Sequence, residues 1–314
     1  MINFNNLLML APLAGYTDLP FRSMVKKFGV DISVSEMISA YALSFNPKKT
    51  LRMIKKSPLE SPFSVQIAGN NKEIIKKSID ILNAQEGIDI IDLNCGCPAP
   101  KVSSHGNGSG LLKDLNLLAS LINTIKLHSN KPYTSIKIRL GFDKKIPLEL
   151  ASMINDCEAD FVVVHGRTKI DAYKKEKIDY NAIALIKEKI KIPLIANGEI
   201  DSFDKAKEVL KITNANGIMI GRFALKEPWI FYQLKYDTKE LPRLLKKDIV
   251  LEHFDNMIDE YGERACIMFR KNLHTYAKNH QDAHHFRSKV NSITESKEMR
   301  DCIIDFFDNE FIKG

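Results

Sequence analysis

Cysteine is scarce: five residues, an odd number, in a chain of 314. Such a set cannot build the paired framework of a small secreted domain, and reduced thiols in a cytoplasmic protein are expected. The opening MINFNNLLMLAPLAG has no basic leader, and its apolar run is too short for a signal peptide or a membrane span. A soluble chain with no membrane partner is therefore expected. Charge is mild at +7, which permits a polyanionic partner without requiring one. Neither a low-complexity tract nor a sequence-level repeat is found. The segment HGNGSG (105–110) lacks the Lys-Ser/Thr of a nucleotide P-loop. Near Cys95 and Cys97 only His105 is close in sequence, short of the roughly four ligands a zinc site needs, so no metal is expected.

What is present is a rhythm. Eight short apolar runs alternate with charged segments of helical period: LLMLAPLAG (7–15), VDISVSEM (30–37), PFSVQIAG (62–69), IDIIDLNCG (88–96), SIKIRLG (135–141), DFVVVHG (160–166), IPLIANGE (192–199) and GIMIGR (217–222). Continuous apolar strands separated by helices indicate a parallel sheet covered on both faces. Eight such units predict an α/β fold, a (β/α)8 TIM barrel, ahead of an open doubly wound sheet. After KEPWIFYQ (226–233) the pattern changes, and segments such as DIVLEHFDNMIDEYG (248–262) predict a small C-terminal all-helical domain. The expected division is a barrel over 1–240 and helices over 241–314.

Barrel enzymes carry their chemistry at the C-terminal ends of the strands. Side chains two apart on a strand share a face, which pairs Lys137 with Arg139, His165 with Arg167 and Asn197 with Glu199. Charges held there are costly unless paired or bound to something. A polar ligand accounts for all three pairs; an internal network of Lys, Arg and Glu is the alternative. Gly198 and Gly221 let the backbone approach an anion closely, and Arg222 adds a forked donor. The loops that carry them, after strands seven and eight, are the usual phosphate site of this fold.

In IDLNCGCPAP (90–99), Pro98 cannot donate to a sheet, so the strand is predicted to stop near Cys97. Cys97 then lies at the rim, and Cys95 one layer deeper as core filling. A rim thiol beside cations suits proton transfer, since an unperturbed thiol, with a pKa of about 8.5, carries its proton at neutral pH.

In order along the chain, LAPLAGYTDLPFR (10–22), SEM (35–37), the IAG block around Gln66, LNCGCP (93–98), KIRLG (137–141), VHGRT (164–168), IANGEI (195–200) and IGRFALKEPWIF (220–231) resemble the tRNA-dihydrouridine synthases. The last block, with FRKNLHTYAKN (269–279), is similar to the bacterial B-type branch. The resemblance implies an FMN enzyme, recharged by NADPH, that reduces a uridine of tRNA to 5,6-dihydrouridine. It also implies that Pro12, Leu13 and Ala14 lie along the flavin ring, that Gln66 and Lys137 bond its polar edge, and that His165 sits near it. Asn197, Gly198, Glu199, Gly221 and Arg222 would hold the ribityl phosphate, and Cys97 would be the proton donor. Lys137 has a buried ion pair with Glu199 as its structural alternative. Asn94, Arg139 and Arg167 are expected to meet the substrate. Leu13 stands where Met is common, and Glu199 where Asp also occurs. The loop PAPKVSSHGNGSG (98–110) is expected to order when tRNA binds.

A uridine must leave its stack to enter a barrel mouth, so cations should grip the RNA backbone beside it. Residues 264–289 carry six Lys or Arg against Asp282 alone, although 243–314 as a whole is balanced at twelve against thirteen acids. Arg270, His274 and Lys278, four apart, predict one helical stripe, with Lys271 and Arg287 as further contacts and Tyr276 as a stacking surface. Two rivals stand beside this reading. One is an FMN barrel acting on a free pyrimidine, of the dihydroorotate dehydrogenase kind, which needs neither the basic appendage nor the PWIF junction. The other is a catalytically silent RNA-binding barrel, against which the set of Cys97, Lys137 and the NGE and GR turns argues.

Overall fold

Parallel strand pairing runs around the sheet and closes on itself. The protein is described here by a computed structural model, which covers residues 1–45, 47–241, 244–308, 310 and 312. The strand segments are β1 (Leu7–Leu10), β2 (Ile32–Val34), β3 (Ile38–Ser39), β4 (Phe63–Ala68), β5 (Ile90–Cys95), β6 (Tyr133–Arg139), β7 (Phe161–His165), β8 (Leu194–Asn197) and β9 (Gly217–Ile220). β1 pairs with both β2 and β9, and β2 with β4, which closes the ring. β3 pairs with β4 further along, through Ile67 and Ala68. β2 and β3 are therefore two pieces of one barrel strand, and the barrel has the expected eight.

The break at 35–37 has a local cause. The Ser35 hydroxyl accepts from the Gln66 N–H at 3.1 Å and donates to the Glu36 carbonyl at 3.0 Å, so a side chain takes up ladder bonds that backbone would otherwise make. Elsewhere the β-branched runs do what their composition asks. Their alternation sends Leu7, Met9, Ile32, Val34, Ile90, Phe161, Val163, Ile195 and Met219 into an apolar floor. On β5, the same parity that puts Ile90 in the floor turns Asp92 and Asn94 inward above it.

The outer helices start where sequence capping directs. Asn71, Asp114, Asp179 and Ser202 each accept from a first-turn N–H of the helices Lys72–Asn83, Leu115–His128, Tyr180–Lys189 and Phe203–Thr213. Each of these helices turns an aliphatic face to the sheet; Ile75, Ile79 and Leu82 on the first are fully buried.

Two compact units divide the chain: Met1–Leu19 with Asp31–Gly221, and Pro20–Val30 with Arg222–Gly314. Compactness thus parts them at 221/222 rather than 240/241, and the second unit takes in a segment from near the N-terminus. Its described elements are all helical, the longest being Lys246–Tyr261, Arg264–Tyr276 and Ser296–Phe307. Phe254, Phe269, Leu273, Phe286, Met299, Ile303 and Phe307 form its core. Tyr276 belongs to that core and is fully buried, which removes it as a stacking surface for a base. Its hydroxyl meets His253 Nδ1 at 3.0 Å, and the rings of Phe21 and Phe269 lie 5.3 and 4.8 Å from the imidazole.

Burial, with a smaller push from Lys271, takes the His253 pKa down to about 3. The unfolded chain protonates this residue below about 6.5 while the folded chain does not, so the contribution to stability is full above pH 6.5 and declines as pH falls toward 3. Over that window the loss is on the order of 4 kcal/mol. We expect His253→Gln to flatten the acid limb of stability between pH 6.5 and 3, measured by urea unfolding at several pH values.

Candidate active site

Asn197 ends β8, and its amide ties three strands together. Nδ2 donates to the Met219 carbonyl at 2.7 Å. A carbonyl can only accept, so Oδ1 must face the other way, where Lys137 Nζ lies at 3.0 Å and His165 Nδ1 at 2.8 Å. His165 therefore carries its proton on Nδ1. Burial, reinforced by Lys137 and Arg139, holds its pKa well below the usual range, so the ring is neutral. Its Nε2 is a buried acceptor with no partner among the described residues. Burial and the neighbouring Arg139 bring Lys137 down to about 8.

β5 stops at Cys95, two residues earlier than expected. Beyond it the Gly96 and Cys97 N–H groups turn back onto Asn94 Oδ1, at 3.2 and 2.9 Å. The turn separates the two thiols. Cys95 is fully buried, and burial raises its pKa well above the ordinary value, which fits core filling. Cys97 is only half-buried, within electrostatic reach of Lys137 and Arg139. Two clamps hold its backbone. Arg139 Nε donates to the Gly96 carbonyl at 2.8 Å, and Ser109 gives both its N–H and its hydroxyl to the Cys97 carbonyl, at 3.1 and 2.8 Å.

Ser109 belongs to the segment 98–110, which is built from short turns. It forms a helical turn over Pro100–Ser103 and a 3-10 turn beginning at Gly108. Asn70 pins it through the His105 carbonyl at 2.8 Å. Gly108 has φ of 55°, and a Cβ there would lie 3.1 Å from that of Cys97.

The three expected pairs regroup rather than stand side by side. Arg167, fully buried, gives Nη2 to Glu199 at 2.8 Å and Nε to the Lys174 carbonyl at 2.8 Å, while Nη1 has no partner. Glu199 therefore serves Arg167, not Lys137. Asn197 and Glu199 share no strand face, because Gly198 at φ 122° and Glu199 at φ 48° leave extended geometry. A Cβ on Gly198 would come within 2.5 Å of Ile178 Cδ1, so this turn needs glycine. Arg139 Nη1 donates to the Thr168 and Ala172 carbonyls, at 2.8 and 3.2 Å. Its role in the fold is to brace loops as well as to charge the mouth.

Gln66 and Asn94 are likewise engaged: Gln66 Nε2 donates to Asp92 at 2.7 Å, and Asn94 Nδ2 donates to Gln66 Oε1 at 2.7 Å. Asp92 was not singled out from the sequence. Its signal was available, as an acid in a buried strand two residues before Asn94. After β1, Pro12 and Leu13 are half-buried and Ala14 exposed, with the turn fixed by Thr17 Oγ1 accepting from the Leu13 N–H at 2.8 Å. Gly221 lies beside this turn; a Cβ on it would sit 3.4 Å from Ala11 and 3.8 Å from Leu13. Arg222 opens the short helix Arg222–Lys226 in the second unit.

In that unit the predicted stripe is broken. Lys278 is exposed but lies past the end of the helix Arg264–Tyr276. Arg270 Nη2 donates to the Ile293 carbonyl at 2.8 Å and Arg287 Nη2 to the His274 carbonyl at 3.4 Å, and both Nε atoms are buried without partners. Lys271 is half-buried. These arginines hold helices together, which leaves less of each guanidinium for RNA.

Fold and site define a class: a (β/α)8 barrel whose mouth holds a cation, a buried imidazole nitrogen and a half-exposed thiol. The chain belongs to the dihydrouridine synthase (Dus) family, whose sequence profile matches residues 9–310. It is 57% identical over 307 residues to a probable tRNA-dihydrouridine synthase of Helicobacter pylori, covering 98% of this chain and 94% of that one. It is 36% identical over 315 residues to the tRNA-dihydrouridine synthase B of Vibrio cholerae, covering 97% and 96%. Among solved structures, that of TcOYE with pHBA aligns with a TM-score of 0.53 at 8% identity, over 82% of this chain and 94% of that one, a likeness of fold alone.

Removing one partner of a buried ion pair strands the other charge, at about 3–5 kcal/mol. Glu199→Ala should destabilise the barrel by that order, read from chemical unfolding, while Glu199→Asp should recover part of the loss.

Proposed function

We propose that the protein is a tRNA-dihydrouridine synthase that uses FMN and NADPH to reduce uridine to 5,6-dihydrouridine in tRNA. The observation that carries this reading is the half-exposed Cys97 thiol beside Lys137 and Arg139 at the barrel mouth, in a chain matched by its family over nearly its whole length.

The residues at the mouth fit the cofactor. His165 Nε2 and Arg167 Nη1 are buried polar atoms still lacking partners, and Gly198 and Gly221 keep side chains out of its loops. Pro12, Leu13 and Ala14 would line the ring, with Lys137 and His165 at its polar edge and Gln66 presenting its remaining amide N–H. The Asn197 and Glu199 side chains are already engaged, so the phosphate falls to main-chain groups around Gly198 and Gly221. When bound, FMN would be the source of the hydride that goes to C6 of the uracil, with NADPH as its reductant.

The chain's own residues do the rest. Charge left at C5 is quenched by the proton of the Cys97 thiol, and the thiolate regains a proton from water between turnovers. Lys137, as an ammonium, holds negative charge at the mouth. Asn94 and Arg139 flank the thiol and can meet the pyrimidine once it has left its stack. For the RNA backbone, exposed Lys278, with Arg264 and Lys289, is better disposed than Arg270 or Arg287, and Lys271 and His274 are secondary.

Cys97→Ala should keep bound FMN and NADPH oxidation while dihydrouridine formation drops by roughly 100-fold or more. Product at the wild-type rate, measured by mass spectrometry of tRNA nucleosides, would remove Cys97 from the reaction. Lys137 gives a second test. Because its pKa in the free protein is about 8, a ligand that needs the ammonium must first protonate it at higher pH. FMN affinity should fall as pH rises through 8, by up to about tenfold per unit. Lys137→Met should bind FMN weakly with no such slope, as followed by flavin fluorescence.

A further inference from the structure

Four side chains inside the barrel form a chain of hydrogen bonds that leads from a carboxylate to the thiol-bearing turn. Asp92 is 4% exposed, Gln66 0%, Ser135 1% and Asn94 7%, so water satisfies little of this set. Strand register puts Gln66 opposite Asp92, and Asp92 opposite Ser135. Ser135 Oγ donates to Asp92 Oδ1 at 2.6 Å and Gln66 Nε2 to Asp92 Oδ2 at 2.7 Å. Gln66 Oε1 then accepts from Asn94 Nδ2 at 2.7 Å, and Asn94 Oδ1 accepts from the Gly96 and Cys97 N–H groups.

We infer that the relay running from Asp92 positions Cys97: both Asp92 oxygens accept at one end, the two N–H groups of the thiol's turn can only donate at the other, and both amides between them must face as they do to match the two ends. Both carboxylate oxygens of Asp92 accept, from Ser135 Oγ and from Gln66 Nε2. Gln66 then has only oxygen left to face Asn94, and Asn94 must answer with nitrogen. That leaves the Asn94 oxygen pointing at the two backbone N–H groups that fix the turn. Reverse either amide and buried donors or acceptors are left unmatched, at about 1–3 kcal/mol each. Burial raises the Asp92 pKa above the ordinary carboxylate value, and its hydrogen bonds from Ser135 and Gln66 and the nearby Lys137 offset only part of that push.

The relay has a definite reversal. Asn94→Asp places a second acceptor-only group on the far side of Gln66, whose single amide nitrogen cannot serve both. The new carboxylate must then turn away or take a proton, and the turn at Cys97 loosens. Adding Asp92→Asn restores a complete chain running backwards: residue 92 donates to Gln66 Oε1, Gln66 Nε2 donates to residue 94, and residue 94 still caps the turn. The number of carboxylates is then that of the wild type.

The consequence for catalysis rests on Cys97 being the proton donor, but the relay itself is tested without activity. Cys97 is the half-exposed thiol, and the other four cysteines are buried, so native-state alkylation by iodoacetamide, mapped by peptide mass spectrometry, reports on it. Asp92→Asn alone should stay within about threefold of the wild-type labelling rate, Asn94→Asp should change it by roughly tenfold, and the double variant should return to within about threefold. If Asn94→Asp is too unstable to label, the midpoint of urea unfolding is scored in the same way: recovery in the double variant supports the relay. Failure of the second change to rescue the first, by either measure, overturns it. Wild-type protein that makes no dihydrouridine in tRNA would instead sink the functional reading and leave the labelling result standing.

Discussion

A buried donor or acceptor at the mouth of this barrel must find a partner, and most of the site follows from that constraint. The floor of the barrel is closed by aliphatic side chains that demand nothing of their neighbours. Two layers up, the same alternation brings in Gln66, Asp92, Asn94, Ser135, Lys137, His165 and Asn197, each with polar atoms to satisfy. Asn197 answers for two of them through one oxygen, and in doing so sets the His165 tautomer. Asp92 answers for Gln66 and Ser135. Among the described residues, His165 Nε2 and Arg167 Nη1 are buried and still lack partners, which is costly unless something else meets them.

The thiol is held by the same rule. Cys97 sits on a turn, outside the ladder, so its place depends on side chains that reach its backbone. Asn94 takes its N–H, Ser109 its carbonyl, and Arg139 the carbonyl before it. In the proposed role the thiol gains from such support, since proton transfer needs the donor within hydrogen-bond reach of the acceptor atom. The segment 98–110 contributes as a folded clasp over the thiol's turn.

Much of this was legible in the sequence. Eight apolar runs became eight barrel strands, because a strand buried on both faces reads as an unbroken run of Ile and Val. Cys95 as filler and Cys97 as the accessible thiol also follow from the position of Pro98, though the strand ends sooner than proline alone requires. Charges two apart were readily noticed, but their partners were not. Arg167 and Glu199 belong to different strand ends and meet only because Gly198 turns the chain out of extended geometry. Tyr276 and Arg270 looked like RNA contacts because a helical stripe has no visible inside from sequence; the core and a neighbouring carbonyl claim them instead.

By itself the sequence determined the period of its elements, the order of its strand-end residues and membership of a family whose motifs recur in that order. These depend on residue type and spacing along one chain. Tertiary structure decided which way each amide faces, which cation keeps its charge free and which thiol sees the mouth. Those outcomes depend on what the neighbouring strand places opposite, and register is a relation between segments that no single segment contains.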